Sequence, residues 1–165
     1  MLSIVKQIIK KIFNIFGLEV QRYQPLSDPE AQVCQAIKKV KTNILFDIGA
    51  NTGQFALKIR SKGYDGKIIS FEPLTNARKK IIEQASKDKN WVVHEQAALG
   101  DHNGHININI SKNSVSSSIL PMLSSHSDAE DDSVYIGKEK TPIIKLDSVA
   151  DSYLDKSANC FIKID

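Results

Sequence analysis

The stretch Ile44-Leu-Phe-Asp-Ile-Gly-Ala-Asn-Thr-Gly53 constrains this chain more than any other. Four apolar residues (Ile44, Leu45, Phe46, Ile48) fit a short buried strand that Gly49 and Gly53 cannot extend. Glycine tolerates a tight turn and lets the backbone approach a ligand, so the spacing predicts a strand over 44–48 and a helix over 54–61. The first amides of such a helix lack intrahelical partners, and we expect them to offer free donors. A second apolar run, Lys67-Ile-Ile-Ser-Phe71, ends at Glu72, nineteen residues past Gly53. An acid at the tip of the second parallel strand is where nucleotide-binding folds grip ribose hydroxyls. A chance strand and turn beside a solvated Glu72 is the bland alternative, but all five features arrive in register. They imply a pocket for a nucleoside-bearing cofactor.

The turn narrows the choice of cofactor. A dinucleotide fingerprint is G-x-G-x-x-G, whereas this turn is Asp47-x-Gly49-x-x-x-Gly53. Ala50 and Asn51 stand where the glycine that admits a pyrophosphate belongs, and Asp47 would repel a diphosphate. S-adenosylmethionine has a sulfonium and an ammonium and no phosphate, so the charges favour it. A nicotinamide-dependent oxidoreductase would share the turn and Glu72 but needs the missing glycine.

The 165 residues are enough for one domain, and 41% hydrophobic with 25% charged is ordinary for a globular protein. The net charge of +3 lies entirely in residues 1–22, where Lys6, Lys10, Lys11 and Arg22 outweigh Glu19. A balanced remainder argues against a nucleic-acid stripe. Cys34 and Cys160 belong to no metal-ligand or C-x-x-C pattern. They are expected to be buried, reduced thiols in a reducing, cytoplasmic setting.

Residues 1–43 are expected to hold an amphipathic helix and a lead-in helix, and residues 44–165 the cofactor-binding domain. In Met1–Phe16 the residues Val5, Ile8, Ile9, Ile12, Ile15 and Phe16 form one helical stripe interrupted by lysines. No uncharged run reaches the ~18 residues of a membrane span, and no small-residue cleavage site follows. Packing of the stripe on the domain or on a second subunit is the expectation, and an anionic membrane surface is the alternative. Asp28-Pro29 marks the start of the lead-in helix, to about Lys41.

Beyond Glu72 we expect a helix over 75–87 and a strand over 91–96, completing strand–helix alternation and hence a parallel sheet with helices on its faces. Ile106, Ile108 and Ile110 alternate with polar residues as in a half-exposed strand over 105–111. Residues 112–140 lack periodicity and are expected to form a loop. A strand over 142–146, a helix over 148–154 and a strand over 160–164 follow. That last strand is rich in Phe and Ile, which suits a strand covered on both sides. Since an apolar last strand would be an aggregation-prone edge, we expect the natural protein to continue beyond Asp165.

Six segments carry a resemblance: Phe46–Gly53, Phe71-Glu-Pro73, Ala97-Ala-Leu-Gly-Asp101, Ser116-Ser-Ser118, Lys145-Leu-Asp147 and Ile162-Lys-Ile-Asp165. In sequence and order they resemble the FkbM family of S-adenosylmethionine-dependent methyltransferases. The resemblance covers about residues 44–165. It implies an α/β fold of the Rossmann-like methyltransferase class, a mostly parallel sheet with helices on both faces, here with the C-terminal part of the sheet missing. It implies O-methylation of a hydroxyl on a sugar, glycan or secondary metabolite. Asp47, Gly49, Ala50, Asn51 and Gly53 would surround the methionine portion, Glu72 would take the ribose, and Ala97 and Ala98 would lie near adenine. The alcohol must lose a proton, which calls for a base or a metal ion. Asp165 is the candidate, as base or metal ligand, or else it merely caps the next helix. No residue pattern supports a divalent metal. His94, His102, His105 and His126 are weaker candidates than Asp165, and His102 and His105 flank a turn and suit solvent better than a catalytic or metal pair. Ser116–Ser118 is either a cofactor-side loop or a linker. A non-catalytic binding module on the same scaffold stays open, although an intact Asp47, Gly49 and Glu72 argue against decay of the pocket.

Overall fold

A computed structural model describes residues 2–18, 28–112 and 135–165. Its centre is a four-stranded sheet built from β1 (Ile44–Ile48), β2 (Lys67–Phe71), β3 (Trp91–Val93) and β7 (Cys160–Ile164). The strand order is β3-β2-β1-β7, and every pair is parallel. The chain steps outward from β1 to β2 to β3 and later returns to the other side of β1. The strand order therefore reverses at β1, which is where open α/β sheets bind ligands, beyond the carboxyl ends of the strands.

Side chains alternate across a strand, so Leu45, Ile68 and Trp91 face one side, and Ile44, Phe46, Ile69 and Phe71 face the other. The first side is covered by α2 (Pro29–Lys39), α3 (Gln54–Ser61) and α4 (Thr75–Ala85). Cys34, Ile37, Ala56, Ile59, Ile81 and Ala85 supply their buried contacts. Burying a large aliphatic side chain is worth about 1.5–3 kcal/mol, so each of Ile37, Ile59 and Ile81 contributes on that order to holding its helix on the sheet. α2 begins as its sequence suggests: the Asp28 carboxylate accepts the Ala31 N–H at 3.0 Å, and Pro29 opens the first turn. Asp28 also pairs with Lys62, which ties α2 to the end of α3.

Among the described residues the opposite side carries no α-helix. Two 3-10 turns, Leu146–Ser148 and Ala150–Ser152, lay Leu146, Val149, Tyr153 and Leu154 on Phe46 and Phe71 where one helix over 148–154 is expected. A second sheet of order β4-β6-β5 joins β4 (Ala98–Leu99), β5 (Gly104–Ser111) and β6 (Tyr135–Ile144). β5 and β6 are antiparallel, with a register shift at Ile110/Ser111. This sheet packs Ile108 and Ile143 on Leu74 and Ala77 at the start of α4.

Several boundaries depart from expectation. The strand expected over 91–96 stops at Val93, because the Gln96 amide turns aside to donate to the Pro73 carbonyl (2.7 Å) and to Glu139 (2.8 Å). Ala98-Leu99 then pairs with β6 instead of extending β3. β6 begins at Tyr135, inside the stretch expected to be loop; its polar run Gly137-Lys-Glu-Lys140 hides it, and pairing with β5 creates it. β7 is less covered than its composition suggests, with Ile162 and Ile164 exposed, because it pairs on one side only among the described residues. Cys160, at its start, is likewise exposed, contrary to expectation, whereas Cys34 is buried as expected.

α1 (Leu2–Ile15) forms where the stripe predicts it. Among the described residues, packing of that stripe on the domain is not found: residues 5–18 are all exposed. No helix among the described residues is long and apolar enough to cross a membrane.

Candidate active site

The tips of β1 and β2 converge on one loop. Gly49, Asn51 and Gly53 all take left-handed backbone conformations, with φ of 72°, 48° and 86°. At Gly53 a Cβ would stand 2.9 Å from the buried Trp91 ring, so both the turn and its packing require glycine there.

The amides of the 49–53 turn are satisfied internally. Gly49 and Ala50 donate to the Phe71 carbonyl (3.1 and 3.0 Å), Thr52 to the Gln54 side chain (3.1 Å) and Gly53 to the Ala50 carbonyl (2.8 Å). Asn51 donates to Glu72 Oε2 at 2.7 Å. The loop is thus closed on itself and is no cradle of amides for a phosphate.

Glu72 is 4% exposed. Its other oxygen accepts the Leu74 N–H at 2.9 Å. A carboxylate oxygen has two lone-pair sites, so each keeps capacity for a hydroxyl donor. Burial dominates its titration and raises the pKa to about 7; the Leu74 and Asn51 amides pull it down, and the charges of Asp47 and Glu139 add to the rise. Glu72 is held in place from the second sheet. Glu139 of β6 accepts from the Thr75 N–H (3.0 Å) and hydroxyl (2.5 Å) at the start of α4, and Thr141 donates to the Pro73 carbonyl (3.1 Å). This clamp on Pro73 and Thr75 brackets the acid.

Asp47 is fully buried and lies opposite Ser70 in β2 and Lys163 in β7. Lys163 Nζ stands 3.2 Å from Asp47 Oδ1, an ion-pair distance, but out of hydrogen-bond alignment: neither Asp47 oxygen has a hydrogen bond. Burial pushes the Asp47 pKa up, and Lys163 offsets part of that rise. The same ammonium reaches Asp165 Oδ2 at 2.7 Å and the Gly49 carbonyl at 3.4 Å. Asp165 is largely exposed, 3.3 Å from where a Gly49 Cβ would sit. Three carboxylates against one lysine leave the strand tips acidic. Such a site suits a ligand that brings positive charge and hydroxyl donors, as S-adenosylmethionine does.

The structure therefore brings Asp47, Gly49, Ala50, Asn51, Gly53, Glu72 and Asp165 together at adjacent strand tips. Ala97 and Ala98 are buried, and Ala98, in β4, packs with Leu74, Ala77, Ile108 and Ile143. His94 follows β3; its ring packs on Phe71 (centroids 4.7 Å) and its Nδ1 shares a 2.6 Å hydrogen bond with the Tyr153 hydroxyl. His102 pairs with Asp101 at the surface, and His105 is exposed. Among the described residues no group of three or more His, Cys, Asp or Glu is placed to hold a metal ion. Ser116–Ser118 and His126 lie outside the described residues. Lys163 is what sequence reasoning passed over. The signal was its position two residues before Asp165, which in a strand puts both on one face.

Residues 47–165 match the family described as Methyltransferase FkbM domain. Among curated proteins none matches the chain. A solved structure of a candidate caffeoyl-CoA O-methyltransferase from Staphylococcus aureus overlaps 53% of this chain and 42% of its own, with 10% identity and a TM-score of 0.36. That overlap is too slight to carry an argument.

Proposed function

The chain belongs to the FkbM methyltransferase family, and on that premise we propose that it moves a methyl group from S-adenosylmethionine to a hydroxyl oxygen of a sugar, glycan or secondary metabolite. The observation that carries the choice of cofactor is the pair of buried acids, Asp47 and Glu72, beside a loop whose amides are already occupied. A diphosphate would meet the repulsion of these acids and a turn whose amides are occupied, whereas ribose hydroxyls would find the remaining lone pairs of Glu72.

In this reading Glu72 takes the ribose, held by the Asn51 and Leu74 amides. Asp47 and the 49–53 loop border the methionine portion, and Ala97 lies toward the base. Bound there, the cofactor supplies an electrophilic methyl on sulfonium, and the chain supplies alignment and a path for the proton. As the acceptor oxygen forms its bond to carbon and the carbon–sulfur bond breaks, Asp165 takes the hydroxyl proton. Lys163, 2.7 Å away, keeps that carboxylate in place. The setting is the cytoplasm, which suits two free thiols.

Calorimetry tests the cofactor, and transfer of labelled methyl to a panel of glycans and small alcohols tests the reaction. S-adenosylmethionine and its demethylated product should bind, and NAD should not compete. Tight NAD binding, or no binding of either sulfur compound, would overturn the proposal.

A further inference from the structure

The apolar face of α1 has no role in the site just described. At 3.6 residues per turn each residue advances 100°, which places Val5, Ile8, Ile9, Ile12, Phe13, Ile15 and Phe16 within one arc of about 160°. Lys6, Gln7, Lys10, Lys11 and Asn14 fill the rest. Lys6 sits at the Phe13 edge of the apolar arc and Lys11 at the Ile15 edge, where long stems can run along an apolar surface and lift their charges into water. The arc is open: Val5 is 51% exposed, Ile8 52% and Phe16 74%, and none of residues 5–15 joins a buried cluster among the described residues.

Charge says what should cover it. Residues 1–18 contain three lysines and no Asp or Glu. A second copy packed stripe to stripe would bring lysine rims together with no acid in either helix to pair them. An anionic lipid surface meets both demands at once, taking the apolar arc into the acyl boundary and the lysines at its headgroups. We propose that α1 is an interfacial helix that docks the protein on anionic bilayers, lying in the plane of the surface without crossing it.

The test is co-sedimentation of the whole chain with phosphatidylglycerol/phosphatidylcholine vesicles, with pure phosphatidylcholine as control. Binding to the anionic vesicles alone, weakened by added salt, is expected. Replacing Lys6, Lys10 and Lys11 by Gln should lower partitioning on the order of a hundredfold, since each lysine near such a surface contributes roughly fivefold. Ile8→Glu with Ile12→Glu should abolish binding while leaving the thermal unfolding of the domain unchanged, because neither side chain is in its core. Three outcomes would overturn the proposal. One is no binding to anionic vesicles. Another is equal binding to neutral ones. The third is an oligomer in light scattering that the Ile8/Ile12 change dissolves while vesicle binding is absent, which would make a second copy the occupant.

Discussion

The protonation of Glu72 should govern cofactor affinity across the neutral range. Burial raises its pKa to about 7, and its value as a ribose acceptor depends on being ionised. With that pKa, roughly nine-tenths of the free protein is ionised at pH 8 and about one-tenth at pH 6. If hydroxyl donors bind the carboxylate form, the Kd for S-adenosylmethionine should rise about tenfold from pH 8 to pH 6. Stability of the free protein should run the other way. A carboxyl whose folded pKa is raised from 4.5 to about 7 favours the folded state most when protonated. That contribution, on the order of 3 kcal/mol, is full below pH 4.5 and is lost as the pH rises toward 7. Glu72→Gln should remove both dependences. It should also weaken binding at pH 8 at least tenfold, because one lost hydrogen bond to a charged group is worth roughly 1.5–3 kcal/mol. Calorimetry at pH 6, 7 and 8 on the wild type, Glu72→Gln and Asp47→Asn reads the effect. A pH slope that is absent in the wild type, or that survives in Glu72→Gln and disappears in Asp47→Asn, would refute the assignment to Glu72.

Two further outcomes follow from the packing. Lys163→Met strands the buried Asp47 charge and should cost about 3–5 kcal/mol in urea unfolding, most of it recovered when Asp47→Asn is added in the same chain. Additive losses in that cycle would mean the two side chains do not interact. Gly53→Ala forces a Cβ into a left-handed residue and against the Trp91 ring, which is fixed by its 2.9 Å bond to the Ser70 hydroxyl. The expected loss is roughly 2–4 kcal/mol of stability, and under about 1 kcal/mol would show that the loop relaxes freely.

The lysine-rich α1 and the packed domain show two different uses of apolar residues. In α2 to α4 the apolar spacing is answered by strands, and Ile37, Ile59 and Ile81 are fully buried. In α1 the same spacing is stronger but remains exposed. The same apolar spacing thus packs a core where strands answer it and leaves an open face in α1, for which the proposed anionic bilayer is the cover.

What the sequence determined by itself is local. Strands 44–48 and 67–71, the helix over 54–61, the Asp28 cap and the αL glycines follow from alternation, breaker residues and capping chemistry acting within a few residues of one another. The acids at the two strand tips were legible for the same reason. What required the tertiary structure is every feature made by pairing across the chain. Tyr135–Ile144 is a strand because β5 lies beside it, although its own residues are half polar. Trp91–Gln96 is broken because Pro73 and Glu139 capture Gln96. Lys163 faces Asp47 because the sheet places position 163 opposite position 47. The loop amides close on Phe71 and Glu72 for a like reason, since hydrogen bonds go to whichever partner the fold brings near. Short-range propensity carries no record of a partner twenty or a hundred residues away, so that part of the site exists only once the strands are side by side.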